Sequence, residues 1–369
     1  MKVSNYGGKV EIMKRKPTLD DIAALAGVSK TAVSMILNEK KGVTFLEETI
    51  ERVHAATKEL DYAKKSPKIQ KMNIFNKNTI LVITPTISSP FFTTIVQSIE
   101  QEADKLGIHV LIQNTFRDKE KELDYLNQVK DTNLYGLIIT MLPHHPKLLE
   151  EINETIPVVV INERSYNVDL DTVEVDNYSA GVLIGEHMIE LGHKHIAYLT
   201  TALNTLNLAR VKRLEGISDA YKRLCPLGSV TVKSKKIRPA DEIRNIDLEY
   251  DTGHELALEI LPHKKITGIV ASTDMIAYGI IDALEENNFN IPEDYSICGF
   301  DNLFPSKFKG ISLTTVEHYI LNKGQDAVEM VRNRQMKNHD KLSSTSVLYR
   351  HELIVRGSTG APRIVEESK

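Results

Sequence analysis

The chain has 369 residues, 41% of them hydrophobic and 26% charged, with 46 Lys+Arg set against 50 Asp+Glu. That length predicts two or three domains with ample apolar material for their cores, and the composition excludes wholesale disorder, a collagen-like chain and a membrane bundle. The longest apolar runs, such as Val158–Ile161, fall far short of the ~20 residues that span a bilayer. No apolar stretch follows the basic N-terminus, and two cysteines, Cys225 and Cys298, fit a reducing cytoplasm.

The formal net charge of −4 is unevenly spread. Residues 1–79 carry 15 basic and 9 acidic residues, a net of +6, which leaves 46−15 = 31 basic and 50−9 = 41 acidic residues, a net of −10, for the rest. A basic module that meets a polyanion, joined to an acidic body with another task, is the expectation.

Within the basic segment, Thr18 is suited to cap a helix, and Asp21 can reach back to it as in a capping box. Ile22, Ala23 and Ala26 follow at helical spacing, Gly27 breaks the helix, and Ser29 caps a second one whose apolar stripe is Val33, Ile36 and Leu37. A third amphipathic helix runs through Ile50, Val53, Ala56, Thr57 and Leu60. Two short helices joined by a turn with Gly form a helix-turn-helix. The outward face of the second helix is Lys30, Thr31, Ser34 and Met35, with Ser29 and Asn38 at its ends. Such a helix sends Lys and Thr side chains to base edges in the major groove, while hydroxyls and helix N-termini hold phosphates.

The stretch from Thr18 to Asn38 resembles the DNA-binding signature of the lactose-repressor (LacI) family of bacterial transcription regulators, with hydrophobic, glycine and serine positions in register. By this resemblance Lys30 and Thr31 are the variable pair that selects the operator. Ala32 stands where the family usually has Thr, and Met35 where it usually has a guanine-reading Arg. Losing a bidentate Arg changes discrimination by ~1–3 kcal/mol at one base pair, so the resemblance does not carry the common family operator over to this chain. Residues 63–78 are the expected hinge. The family's Pro-Asn pair and wedge Leu are absent, Ile69 or Met72 is available as a substitute wedge, and Lys64, Lys65, Lys68 and Lys71 can neutralise phosphates. Residues 1–16 lie outside the family pattern, which makes Met13 an expected translation start.

From Thr79 onward short apolar strands alternate with amphipathic helices. The expected strands are Ile80–Thr84, His109–Gln113, Gly136–Met141, Pro157–Asn162, Val173–Asp176, His195–Thr200, Gly268–Ser272 and Ser296–Phe300; the expected helices are Phe91–Leu106, Glu120–Lys130, Asn177–Leu191, Arg213–Leu224, Thr252–Leu261 and Met275–Asn287. The pattern runs twice, before and after about residue 177. It predicts two doubly wound parallel-sheet halves sharing a cleft at their strand C-termini.

The resemblance extends over this body, from Lys16 to Ser358, through Ser89-Pro-Phe-Phe92, Val175-Asp-Asn177, Leu191-Gly-His193, Gly299-Phe-Asp-Asn302 and Leu313-Thr-Thr315. It implies an α/β effector domain like periplasmic sugar-binding proteins, behind an all-α helix-turn-helix domain over residues 17–62. The chain would cross three times, giving one subdomain of residues 79–177 and 316–340 and another of 178–315 and 341–360. The resemblance also implies a homodimer on an imperfect palindrome of double-stranded DNA, and a small effector, a sugar or sugar derivative by family weight. Asp301 and Arg213 match ligand positions. Arg210 competes with Arg213 because the preceding loop looks about two residues longer than usual. Phe91 and Phe92 are placed to stack on a sugar face, and Thr273 sits where relatives carry a polar ligand residue.

No cofactor, metal site, membrane partner or catalytic residue is called for. Gly-rich phosphate loops and a Gly-x-Ser-x-Gly elbow are missing. His254-Glu255 and His351-Glu352 lack the second histidine of a zinc helix motif, and His187, His193 and His195 read as structural. Two rival classes stand beside the repressor reading: a ligand-binding protein with degenerate DNA recognition, and an α/β enzyme with a nucleic-acid tether.

Overall fold

The computed structural model describes residues 17–37, 44–60, 76–163, 169–204, 207–237, 245–336 and 343–365. The chain divides into two compact units, Met1–Asn73 and Ile74–Lys369. Asn38, Lys64, Lys65, Lys68, Lys71, Ile69 and Met72 lie outside the described residues, as does most of the expected hinge.

The first unit is built from α1 (Leu19–Ala26), α2 (Lys30–Leu37) and α3 (Glu47–Glu59). The Asp21 carboxylate accepts from the Thr18 backbone N–H and from its hydroxyl, both at 2.7 Å, so the box forms as its residue types dictate. Gly27 takes the left-handed conformation, φ 66°, that ends α1, and Ser29 Oγ accepts from Ala32 N at 3.2 Å to start α2. Ile22, Ala26, Val33, Ile36, Val53 and Ala56 interlock as a small core.

The second unit holds two sheets. β1 (Thr79–Thr84), β2 (His109–Asn114), β3 (Gly136–Ile139), β4 (Val158–Glu163), β5 (Asp171–Val175) and β11 (Ser346–Leu348) form one in the order β11-β5-β4-β3-β1-β2, every pair parallel. Helices α4 (Pro90–Lys105), α5 (Lys119–Val129) and α6 (Pro146–Ile152) join its first strands. Alternate residues face opposite layers. Ile80, Val82, Ile138, Val159 and Ile161 pack beneath α4 and α11 (Ile320–Met336), whereas Leu81, Ile83, Leu137, Ile139 and Val160 meet α5 and α6. The other sheet runs β7-β6-β8-β9, again all parallel, from β6 (His195–Thr200), β7 (Ser229–Ser234), β8 (Gly268–Ala271) and β9 (Ser296–Cys298). One face carries α7 (Asn177–Glu190) and α8 (Leu208–Leu224), the other α9 (Leu248–Ile260) and α10 (Asp274–Glu286). The short antiparallel pair β10 (Thr315–Glu317) and β12 (Glu352–Ile354) lies on the segments that cross between these lobes.

Two expectations need correction. Residues from 341 onward were expected in the second subdomain, but Ser346–Leu348 pairs in parallel with β5 and edges the first sheet. Asp171 anchors that return, accepting from Arg334 Nε at 2.7 Å and from Thr345 N at 2.8 Å. The switch into the second lobe therefore comes after Leu348; past β12, Ser358 O accepts from Ile297 N at 2.7 Å. The strand expected at Val173–Asp176 begins earlier, at Asp171, and Asp176 instead caps α7 by accepting from Ser179 N.

Candidate functional site

Between the lobes lies a cavity of about 220 Å³, more than ten times what one ordered water requires. All six expected effector residues, Phe91, Phe92, Arg210, Arg213, Thr273 and Asp301, line it. The first lobe supplies Phe91 and Phe92, half-buried at the start of α4 with ring centroids 5.3 Å apart in an edge-on pair, and Glu163 at the end of β4. The second lobe supplies the charged wall.

Arg213 organises that wall. Its Nε donates to Asn177 Oδ1 at 2.8 Å and its Nη1 to Ser272 O at 2.5 Å, while Nη2 stands 3.4 Å from Asp301 Oδ1 and 3.3 Å from His318 Nε2. The guanidinium lies 4.5 Å from the centroid of the Phe300 ring. Two glycines allow this placement. A Cβ on Gly181 would come 2.1 Å from Arg213 O, and one on Gly216 would come 2.1 Å from Tyr178 O. Helices α7 and α8 thus touch backbone to backbone, which brings Arg213 to Asn177.

Arg210 faces a different set of partners. It donates to Thr201 Oγ1, and its Nη2 reaches Glu249 Oε1 at 2.6 Å. Thr273 Oγ1 donates to Glu249 Oε2 at 3.1 Å and accepts from Ile276 N at the start of α10. Both arginines are therefore on the cavity wall, each tied to its own carboxylate.

Asp301 has φ 115°, a region that costs a non-glycine residue about 1–3 kcal/mol and recurs where side chains are held for function. The loop that follows it is fixed by buried Asp274, which accepts from Leu303 N, Ser306 Oγ and Thr315 Oγ1 at 2.7–2.9 Å. Burial pushes the Asp301 carboxyl up to about 8 against the pull of Arg213, with Asp274 and Glu249 adding to the rise. Burial also raises Glu163 to about 7, opposed by its hydrogen bond from Asn177 Nδ2 at 2.5 Å and by the Arg213 charge. A carboxyl near neutrality can donate as well as accept, which suits a ligand bearing hydroxyls.

Sequence reasoning passed over Glu163, Asn177, Glu249 and Arg117 as lining residues. Only Asn177 had a signal, as part of Val175-Asp-Asn177.

In the first unit, Lys30 and Thr31 are exposed on α2, and Ser34 and Met35 are half-buried beside them. Lys30 Nζ pairs with Asp20 Oδ2 at 2.8 Å, both side chains largely exposed. Such a pair is worth about 0–1 kcal/mol and is readily exchanged for another partner. Ser29 is exposed, and the Thr18 hydroxyl is committed to Asp21.

His193 is a buried structural residue, with Nδ1 2.8 Å from Thr267 Oγ1 and Nε2 3.0 Å from Gly360 O. Among the described residues no group of three or more His, Cys, Asp or Glu is arranged to hold a metal ion, and no helix is long and apolar enough to cross a membrane.

The family model for periplasmic binding proteins and the sugar-binding domain of the LacI family matches residues 77–356, and that for bacterial regulatory proteins of the lacI family matches residues 18–65. The chain is 30% identical to the HTH-type transcriptional regulator DegA of Bacillus subtilis (strain 168) over 353 residues, 93% of this chain and 98% of that protein. It is 29% identical to the HTH-type transcriptional repressor PurR of Haemophilus influenzae (strain PittEE) over 345 residues, 92% of this chain and 98% of that protein. Among solved structures, a LacI family transcriptional regulator from Enterococcus faecalis V583 with bound ribose aligns with a TM-score of 0.63 at 26% identity, covering 77% of this chain and 99% of that one. The regulator CelR in complex with cellobiose shares the fold, with a TM-score of 0.62 at 20% identity, covering 93% of this chain and 99% of that one.

Proposed function

The chain belongs to the LacI family of bacterial transcription regulators, and we propose that it is a cytoplasmic, non-enzymatic repressor whose operator affinity is set by a sugar or sugar derivative held between its lobes. The observation that carries the effector half is the two-sided cavity. Phe91 and Phe92 face it from one lobe; Arg213, Asp301 and Arg210 face it from the other. A ligand touching both walls favours one lobe arrangement, and that differential affinity is what couples two sites, typically by ~1–3 kcal/mol. The ribose bound by the Enterococcus faecalis relative supports a polyhydroxylated occupant here.

The DNA half rests on α2. Lys30 and Thr31 read base edges, Ser34 and Met35 make closer groove contacts, and Thr18, Ser29 and Asn38 support the helix ends on the backbone. Lys64, Lys65 and Lys68 neutralise phosphates. A homodimer sets two recognition helices about 34–36 Å apart, so the operator is an imperfect palindrome. The domains are residues 17–62 for DNA, 63–78 for the hinge and 79–360 for effector and dimerisation.

A gel-shift against DNA upstream of neighbouring genes, repeated with and without a panel of sugars and sugar derivatives, tests both halves. A salt-sensitive, sequence-selective shift changed by one panel member is expected. No selective shift by the folded protein would sink the repressor reading and leave a ligand-binding protein.

A further inference from the structure

The segments that cross between the lobes hold a cluster of bases outside the cavity just described. His318 follows β10, Lys323 lies in the first turn of α11, and His351 precedes β12. Lys323 and His318 are both 0% exposed. Lys323 Nζ, His318 Nδ1 and both ring nitrogens of His351 reach no hydrogen-bond partner; the His351 ring only approaches the Glu317 backbone. The imidazoles of His318 and His351 meet edge-on with centroids 4.6 Å apart, and Lys323 Nζ stands 5.9 Å from the centroid of the Tyr349 ring.

Nearby carboxylates are engaged elsewhere. Glu317 accepts from Tyr319 N and from Asn302 Nδ2, each at 2.6 Å, and Glu163 accepts from Asn177. The tautomer of His318 follows from its other neighbour. Its Nε2 faces Arg213 Nη2, a group that only donates, so Nε2 accepts and the ring proton sits on Nδ1. The orphaned Nδ1 is therefore a donor, like the orphaned ammonium.

Buried donors without acceptors are costly, and a native structure meets them with an ion or a water. A water that accepts from Lys323 and His318 must place two hydrogens of its own, and the one orphaned side-chain acceptor in the cluster, among the described residues, is a nitrogen of His351. An anion accepts from every donor and needs no acceptor. Burial and the adjacent Arg213 charge lower Lys323 to about 7, so a counter-ion is also what would keep this lysine charged.

We propose that Lys323 Nζ and His318 Nδ1 bind a small inorganic anion of chloride's size and charge, walled by His351 and Tyr349. The enclosure favours a small ion, because none of the donor nitrogens is open to solvent. A groove lined by Tyr349, Arg350 and His351 reaches the outer side of the cluster and offers a way in. The ion ties together two of the crossing segments, one carrying His318 and Lys323 and the other Tyr349 and His351, one side chain from Arg213, so its occupancy and ligand binding in the cavity affect each other reciprocally.

The test is thermal unfolding of the full chain in sodium chloride–sodium gluconate mixtures at constant ionic strength. The wild type gains about 2–4 °C in Tm, saturably, as chloride replaces gluconate, and Lys323→Met shows no such gain. A wild-type Tm indifferent to chloride, or an equal gain in Lys323→Met, overturns the proposal. Should the methionine variant fail to fold, His318→Gln takes its place in the same comparison. Crystals of the wild type soaked in bromide supply a reading free of any variant: an anomalous peak between Lys323 and His318 is expected, and its absence counts against the site.

Discussion

Glu163→Gln isolates the cost of burying one carboxylate in the cavity wall. Glu163 is 9% exposed, and burial outweighs Asn177 and Arg213 to lift its pKa from 4.5 to about 7. The native state therefore holds this proton more tightly than the unfolded chain. The stabilisation is complete below about pH 4.5 and is lost as pH rises through about 7. A shift of that size corresponds to about 3 kcal/mol at most. Glutamine mimics the protonated acid and keeps an oxygen for Asn177 Nδ2, so it evades the loss. Urea unfolding of both proteins should give similar stabilities near about pH 4.5 and a variant more stable by up to about 3 kcal/mol near about pH 8. Subtracting the two curves removes every other titrating group. A gap that stays constant with pH, or a wild type that gains on the variant as pH rises, would refute the reasoning.

Gly216→Ala should force α7 and α8 apart, because its Cβ would stand 2.1 Å from Tyr178 O; a stability loss of about 1–3 kcal/mol or more is expected in denaturant titrations. Arg213→Lys replaces a fork that reaches Asn177, Ser272 and Asp301 with a single ammonium. Calorimetry with the ligand found in the panel should show at least about tenfold weaker binding, and undiminished affinity would remove Arg213 from the site. In gel shifts, Lys30→Ala should relax the preference at one base pair, whereas Lys65→Ala should weaken all sequences alike and flatten the salt dependence. Identical behaviour of the two variants would contradict the roles given to them.

The buried strands were legible because both faces of β1, β3, β4, β6 and β8 are covered, which makes each an apolar run. The sheet edges escaped for the opposite reason. In β7 no residue is fully buried, with Val230, Thr231 and Lys233 half-buried and Ser229, Val232 and Ser234 exposed, and β11 is only three residues, Ser346–Leu348, with its ends exposed. A three-residue edge strand carries too little pattern to assign to one lobe. What assigns it is Asp171, a residue 175 positions upstream of Ser346 that takes bonds from both Arg334 and Thr345.

The cavity shows the same limit more sharply. Aromatic and arginine candidates stand out in a sequence, and Phe91, Phe92, Arg210, Arg213, Thr273 and Asp301 do reach one wall or the other. Glu163 and Glu249 do not stand out, since a lone glutamate in a chain with 50 acidic residues reads as solvated surface. Their partners give them meaning. Glu249 holds Arg210 and Thr273, while Asn177 links Glu163 to Arg213 across the lobes. Arg210 and Arg213, alternatives at the level of spacing, both line the cavity and face different partners. Arg210 donates to Thr201 and Glu249 of the second lobe. Arg213 reaches the β4 carboxylate of the first lobe through Asn177 and the crossover histidine His318 directly. On these contacts we propose Arg213, rather than Arg210, as the residue through which a bound ligand acts on the segments joining the lobes.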